Sequence, residues 1–105
     1  MKIIKRSGSE DIFDAAKIVA AIRKANDSVL DYEKLTADQI EEIASNVETA
    51  CENMKRSPSV EEIQDMVENQ LMDIKAHDIA RHYITYRYIQ SLKRQTNTTD
   101  ERILS

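Results

Sequence analysis

The residues best placed to do chemistry are cations gathered at the N-terminus. Lys2, Lys5 and Arg6 crowd one short segment, and Lys17 stands in the first turn of a predicted helix, in a chain whose net charge is −4. A cation in a first helical turn opposes the macrodipole at a cost of a few tenths of a kcal/mol. That cost disappears when an anion shares the site. Helix-start N–H groups, Lys17 beside them, and Lys5 and Arg6 above would together make an anion pocket. The competing reading is a set of solvated surface cations. Adjacent strand residues point to opposite faces, so Lys5 and Arg6 converge only where the strand ends or bends. A second feature is Tyr83-x-x-Tyr86-Arg87-Tyr88. Tyrosines at that spacing serve as core and interface, or as a wall that stacks on a planar base while Arg87 offers its fork to a phosphate. Taken with the N-terminal cations, this points to a nucleoside triphosphate.

Other chemistry finds little support. Cys51 lies in an apolar helical stripe, where a thiol is inert packing. His77 and His82 do not share a helix face, and no cysteine or acidic pair completes a ligand set around them. Glu41-Glu42 and Glu61-Glu62 fall on solvent faces and first turns, as solubility and the macrodipole favour. One glycine cannot build a Gly-rich phosphate loop, and one cysteine can form neither an internal disulfide nor a structural zinc site. The acidic balance argues against duplex nucleic acid as a partner. With no signal peptide and no membrane-spanning run, the chain reads as cytoplasmic.

The elements that must position these residues are mostly helical. At 105 residues the chain makes about one domain, and 41% hydrophobic residues with a single Gly and a single Pro suit a helical one. Lys2–Arg6 and Ile12-Phe13, either side of Ser7-Gly8-Ser9, predict a small β-hairpin. Asp14 N-caps a helix carrying Ala15, Ile18, Val19 and Ile22, which fades near Ala25-Asn26-Asp27. Thr36-Ala37-Asp38-Gln39 is a capping box, opening a helix lined by Ile40, Ile43, Ala44, Val47, Cys51 and Met54 that ends at Lys55-Arg56-Ser57-Pro58. Ser59-Val60-Glu61-Glu62 is a second capping box, before Ile63, Met66, Val67, Leu71 and Ile74. After a break near Ala76-His77-Asp78, a last helix carries Ile79, Ala80, Tyr83, Ile84 and Tyr86. Residues 95–105 read as a polar linker leading onward, which leaves residues 1–94 as the domain. The expected fold is mainly α: a four-helix bundle with an N-terminal β-hairpin lid.

Several segments carry a resemblance to a known family. Ile4-Lys5-Arg6-x-Gly8, Phe13-Asp14-x-x-Lys17-Ile18, Ser59-Val60-Glu61-Glu62-Ile63-Gln64-Asp65-x-Val67-Glu68 and Tyr83-Ile84-x-Tyr86-Arg87 resemble, in this order, the ATP-cone of ribonucleotide reductases. Tyr83 to Tyr88 followed by Asn97-Thr98-Thr99-Asp100-Glu101 looks like the junction to the catalytic barrel in anaerobic, glycyl-radical ribonucleoside-triphosphate reductases. The resemblance implies four helices under a β-lid and a regulatory domain that senses ATP against dATP, bound with Mg2+. It makes the catalytic domain of the same chain a partner, and altered homo-oligomerisation the means of transmission. Carried over, Lys5 and Arg6 would hold phosphates, and Lys17 would reach the phosphate chain. Asp11 and Asp14 would contact the nucleotide, Val60 would lie near the base, and Arg87 would meet a phosphate. Ser7 stands where the family usually has aspartate, which affects turn detail more than binding.

Three rivals follow. A reductase-gene repressor carries the same cone behind a four-cysteine zinc ribbon, and only Cys51 is present here. A helical interaction module would bind no nucleotide. An enzyme in its own right would need a catalytic constellation that these residues do not supply.

Overall fold

The computed structural model describes the backbone of residues 1–5 and 8–104, and side chains as far as Lys93 apart from Ser91. Two strands, β1 (Lys2–Ile4) and β2 (Glu10–Ile12), precede four helices: α1 (Ala15–Asn26), α2 (Ala37–Glu52), α3 (Val60–Asp73) and α4 (His77–Leu104). This is the mainly helical bundle with an N-terminal hairpin that the periodicity predicts. Each helix packs on two neighbours, in the ring α1–α2–α3–α4 and back to α1.

The hairpin is antiparallel, with Lys2 opposite Ile12, Ile3 opposite Asp11 and Ile4 opposite Glu10. Its turn closes through Gly8 N–H to the Lys5 carbonyl (2.9 Å) and Lys5 N–H to the Ser9 carbonyl (2.8 Å). Gly8 sits at φ 89°, left-handed backbone that glycine enters without strain. Two short strands are marginal alone, and this hairpin is tied down. Ile4 N–H donates to the Pro58 carbonyl at 2.9 Å, Ile4 forms a parallel bridge with Ser59, and Ile3 and Phe13 pack on the core.

Asp14 caps α1 through the Ala16 N–H, and capping boxes open α2 (Thr36 with Gln39) and α3 (Ser59 with Glu62). Ile22, Val67 and Leu71 are fully buried at the centre, and Cys51 packs there with its Sγ 3.9 Å from the Met66 sulfur. Asn26 is buried too, because its side-chain amide pairs with both backbone groups of Leu35 (2.8 and 3.2 Å) and thereby pins the α1–α2 connection. That connection contains a 3-10 turn, Asp31–Glu33.

The chain departs from the sequence expectations at three element ends. α2 stops at Glu52, short of Pro58, because Asn53 caps it and Met54 N–H turns back to the Cys51 carbonyl. Ile74 is the C-cap of α3 and is 46% exposed, so it is not core. The turn after it has Schellman geometry, with Lys75 N–H on the Met72 carbonyl and Ala76 N–H on the Leu71 carbonyl, and it forces Lys75 to φ 61°. α4 continues to Leu104, through the stretch read as a polar linker. No glycine or proline interrupts that stretch, and Thr and Asn are weak helix formers rather than breakers.

Candidate functional site

Three elements meet around one carboxylate. Lys5 follows the end of β1, Asp11 is the centre of β2, and Lys17 is the third residue of α1. The Asp11 Oδ2 lies 3.5 Å from the Lys5 ammonium and 3.8 Å from that of Lys17. Its Oδ1 accepts the Ile12 N–H at 2.8 Å. That backbone hydrogen bond, and then the Lys5 charge, hold the Asp11 carboxyl below the usual carboxylate range. Hairpin alternation explains the placement: Ile3 and Asp11 share the face turned to the bundle, while Lys2 pairs with Glu10 on the other face, at 3.3 Å. Lys2 therefore stays out of the cluster. Lys5, two residues on from Ile3 and just past the end of β1, falls on the Asp11 face by the same alternation. Arg6 lies outside the described residues.

Asp14 and Val60 border this group. Asp14 spends its Oδ1 on the Ala16 N–H (3.0 Å), so its first duty is to start the helix that presents Lys17. The Ile4–Ser59 bridge is a single parallel step, from which Lys5 leads into the hairpin turn and Val60 into α3. The start of α3 thus adjoins the mouth of the hairpin. Sequence reasoning missed the tie that does this, the Pro58 carbonyl, because nothing in a proline's type marks its oxygen as a strand partner.

Arg87 is occupied elsewhere. Its Nη1 stands 2.8 Å from Asp65 and 2.7 Å from Glu68, and it is 25% exposed, so it clamps α4 to α3. Nor do the tyrosines build a stacking wall. Tyr83 is buried in the core, and burial pushes its hydroxyl up to about 12. Tyr86 is half-buried with the Lys24 ammonium 4.9 Å from its ring centre, and Tyr88 is exposed on another side of α4. A spacing of three keeps Tyr83 and Tyr86 at neighbouring positions of the helix, whereas the two-residue step from Tyr86 carries Tyr88 to another side.

The arrangement can hold an anion. Two ammonium groups from separate elements approach one oxygen, in open solvent and beside the start of α1. Burial raises the Cys51 thiol above its ordinary value, which keeps it protonated. Among the described residues, no three His, Cys, Asp or Glu side chains gather as metal ligands would. Nor, among the described residues, is any helix long and apolar enough to cross a membrane.

The chain is 38% identical over 91 residues to a vitamin B12-dependent ribonucleoside-diphosphate reductase of Thermoplasma acidophilum, covering 82% of this chain and 11% of that protein. It is 32% identical over 94 residues to an anaerobic ribonucleoside-triphosphate reductase of Haemophilus influenzae, covering 89% and 13%. A transcriptional repressor, NrdR, of Petrotoga mobilis is 32% identical over 96 residues, covering 88% of this chain and 59% of the repressor. The chain therefore spans only about a tenth of the length of the reductases it matches. The model of the ATP cone domain matches residues 1–92. That match covers most of the chain, and the four helices with a two-stranded N-terminal sheet are consistent with it, so the chain belongs to the ATP-cone family.

Proposed function

We propose that this chain is the nucleotide-sensing domain that sets the overall activity of a ribonucleotide reductase, an anaerobic ribonucleoside-triphosphate reductase in particular. ATP and dATP are its ligands, taken up as magnesium complexes. Lys5, Arg6 and Lys17 hold the phosphates, Asp11 and Asp14 contact the nucleotide, and Val60 borders the base. The observation that carries this reading is the convergence of Lys5 and Lys17 on Asp11 at 3.5 and 3.8 Å. A carboxylate oxygen already occupies the place a phosphate oxygen would take. Arg87 could join only by leaving Asp65 and Glu68, so the weight rests on the two lysines.

The domain acts on a catalytic part of the same polypeptide, to which residues 95–105 lead, and works in the cytoplasm in support of DNA replication. A ligand biases an enzyme only through its different affinity for two states. ATP and dATP differ by one hydroxyl, and one such hydrogen bond is worth about 1 kcal/mol. Several cones acting together in a homo-oligomer would amplify that difference. The domain itself performs no catalysis.

The test is calorimetric titration of the chain with ATP and dATP, beside Lys5→Ala and Lys17→Ala. Micromolar binding that is lost in both variants supports the reading, and the stoichiometry separates one site from two. No heat at millimolar nucleotide would favour the second reading, a helical module that binds another protein instead.

A further inference from the structure

Lys5 and Lys17 face a single carboxylate, that of Asp11, at 3.5 and 3.8 Å from the same Oδ2. The neighbouring acids are committed elsewhere. Glu10 lies on the opposite face of the hairpin and pairs with Lys2 at 3.3 Å. Asp14 gives its Oδ1 to the Ala16 N–H at 3.0 Å, and the first turn of α1 holds no acidic residue. Among the described residues, Asp11 is thus the carboxylate that both lysines meet.

Asp11 is also the anchored member of the group. Its Oδ1 accepts the Ile12 N–H at 2.8 Å, which leaves the other oxygen between the ammonium groups. Its side chain is the least exposed of the three, on a short stem, whereas each lysine reaches it on a flexible four-carbon chain. The three charges sum to one positive charge instead of two. A phosphate arriving here meets Asp11 twice over, as a rival for the same N–H donors and as a like charge at close range.

We infer that Asp11 is a built-in competitor of the ligand: its carboxylate occupies Lys5 and Lys17 in the empty domain, and a polyphosphate chain binds only by displacing it from them. The inference rests on the reading of these lysines as phosphate holders. A lone phosphate offers them little that the carboxylate does not already give. A di- or triphosphate brings further oxygens, enough to reach both ammonium groups and the N–H groups at the start of α1. On that reading, the contact of Asp11 with the nucleotide follows after it has released the lysines. Asp11 therefore lowers affinity for the phosphate chain, the reverse of what a residue serving only to steady the lysines would do.

Calorimetric titration of the chain with inorganic tripolyphosphate tests this, because a ligand without ribose or base removes any contact of Asp11 with the nucleoside. Asp11→Asn loses the charge and keeps an oxygen for the Ile12 N–H. Asp11→Thr loses the charge with a residue that suits a strand, and Asp11→Glu keeps the charge. Circular dichroism and a urea midpoint check that each is folded. Two exposed ion pairs are removed, so Asp11→Asn and Asp11→Thr are expected to bind tripolyphosphate about three- to tenfold more tightly than the wild type. Asp11→Glu should stay near the wild type, and Lys17→Ala added to Asp11→Asn should erase the gain. Binding by the neutral variants that is equal to or weaker than that of the wild type would overturn the inference while leaving the phosphate site in place. A gain in Asp11→Glu as large as theirs would overturn it too. Tripolyphosphate binding by neither the wild type nor the neutral variants would overturn the phosphate site itself, and the inference with it.

Discussion

Lys5 and Lys17 belong to different elements, a strand end and a helix start, yet both ammonium groups lie within 4 Å of the same Asp11 oxygen. Neither is buried: their side chains are 52% and 74% exposed, and exposed ion pairs are worth at most about 1 kcal/mol. The cluster therefore contributes little to folding. On the proposed reading, two exposed donors are already close to one another for a phosphate to meet.

Lys17→Ala should separate binding from stability. Losing one charge-assisted hydrogen bond to a phosphate costs about 1.5–3 kcal/mol, or roughly ten- to a hundredfold in affinity. The urea midpoint should hardly move, because only an exposed pair is removed. Titration calorimetry and urea denaturation on the same preparation check this. A large midpoint shift with unchanged affinity would make Lys17 structural.

Arg87→Ala should do the opposite. Removing the guanidinium leaves Asp65 and Glu68 side by side on α3 without a counter-charge, and Glu68 is only 21% exposed. The expected result is a clear loss of thermal stability, with nucleotide affinity falling much less than in Lys17→Ala. Equal affinity losses in the two variants would place Arg87 among the ligand contacts.

Glu62 makes stability depend on acid. It accepts two hydrogen bonds from Arg56 (2.8 and 2.6 Å) and one from the Ser59 N–H, and Arg56 chiefly holds its carboxyl down to about 2, from an ordinary 4.5. A depressed folded value means the contribution is complete above about 4.5 and is lost as pH falls toward 2. Thermal midpoints measured through that window should fall more steeply for the wild type than for Glu62→Gln. Parallel curves would remove Glu62 as a cause.

Lys75→Gly should stabilise the chain. The turn between α3 and α4 holds Lys75 at φ 61°, where an L side chain costs about 1 kcal/mol and glycine does not. Glycine's extra freedom in the unfolded chain offsets part of this, so a rise of a few degrees in the midpoint is expected by calorimetry. A fall would mean that the lysine side chain makes a compensating contact.

Local signals determined most of the architecture. Asp14, Thr36 and Ser59 each marked a helix start through the hydrogen bonds their own side chains make a few residues on, so no tertiary contact was needed to read them. The stripes Ile18–Ile22, Ile40–Val47 and Ile63–Leu71 likewise followed from helical period. Gly8 marked the hairpin turn because only its backbone enters that conformation without cost. Even the candidate site was partly legible, since Lys17 is a cation in a first turn that carries no acidic residue. What the tertiary structure decided is which partners long side chains take. Arg87 could have faced a phosphate or a carboxylate, and it was the packing of α4 on α3 that brought Asp65 and Glu68 within reach. Tyr83 became core while Tyr88 stayed in solvent because four neighbours in a ring leave each helix one inward face. The Pro58 carbonyl became the acceptor of the Ile4 N–H only when the hairpin lay against the α2–α3 connection. These are contacts between residues far apart in the chain, whose energies depend on a geometry that no short window of sequence contains.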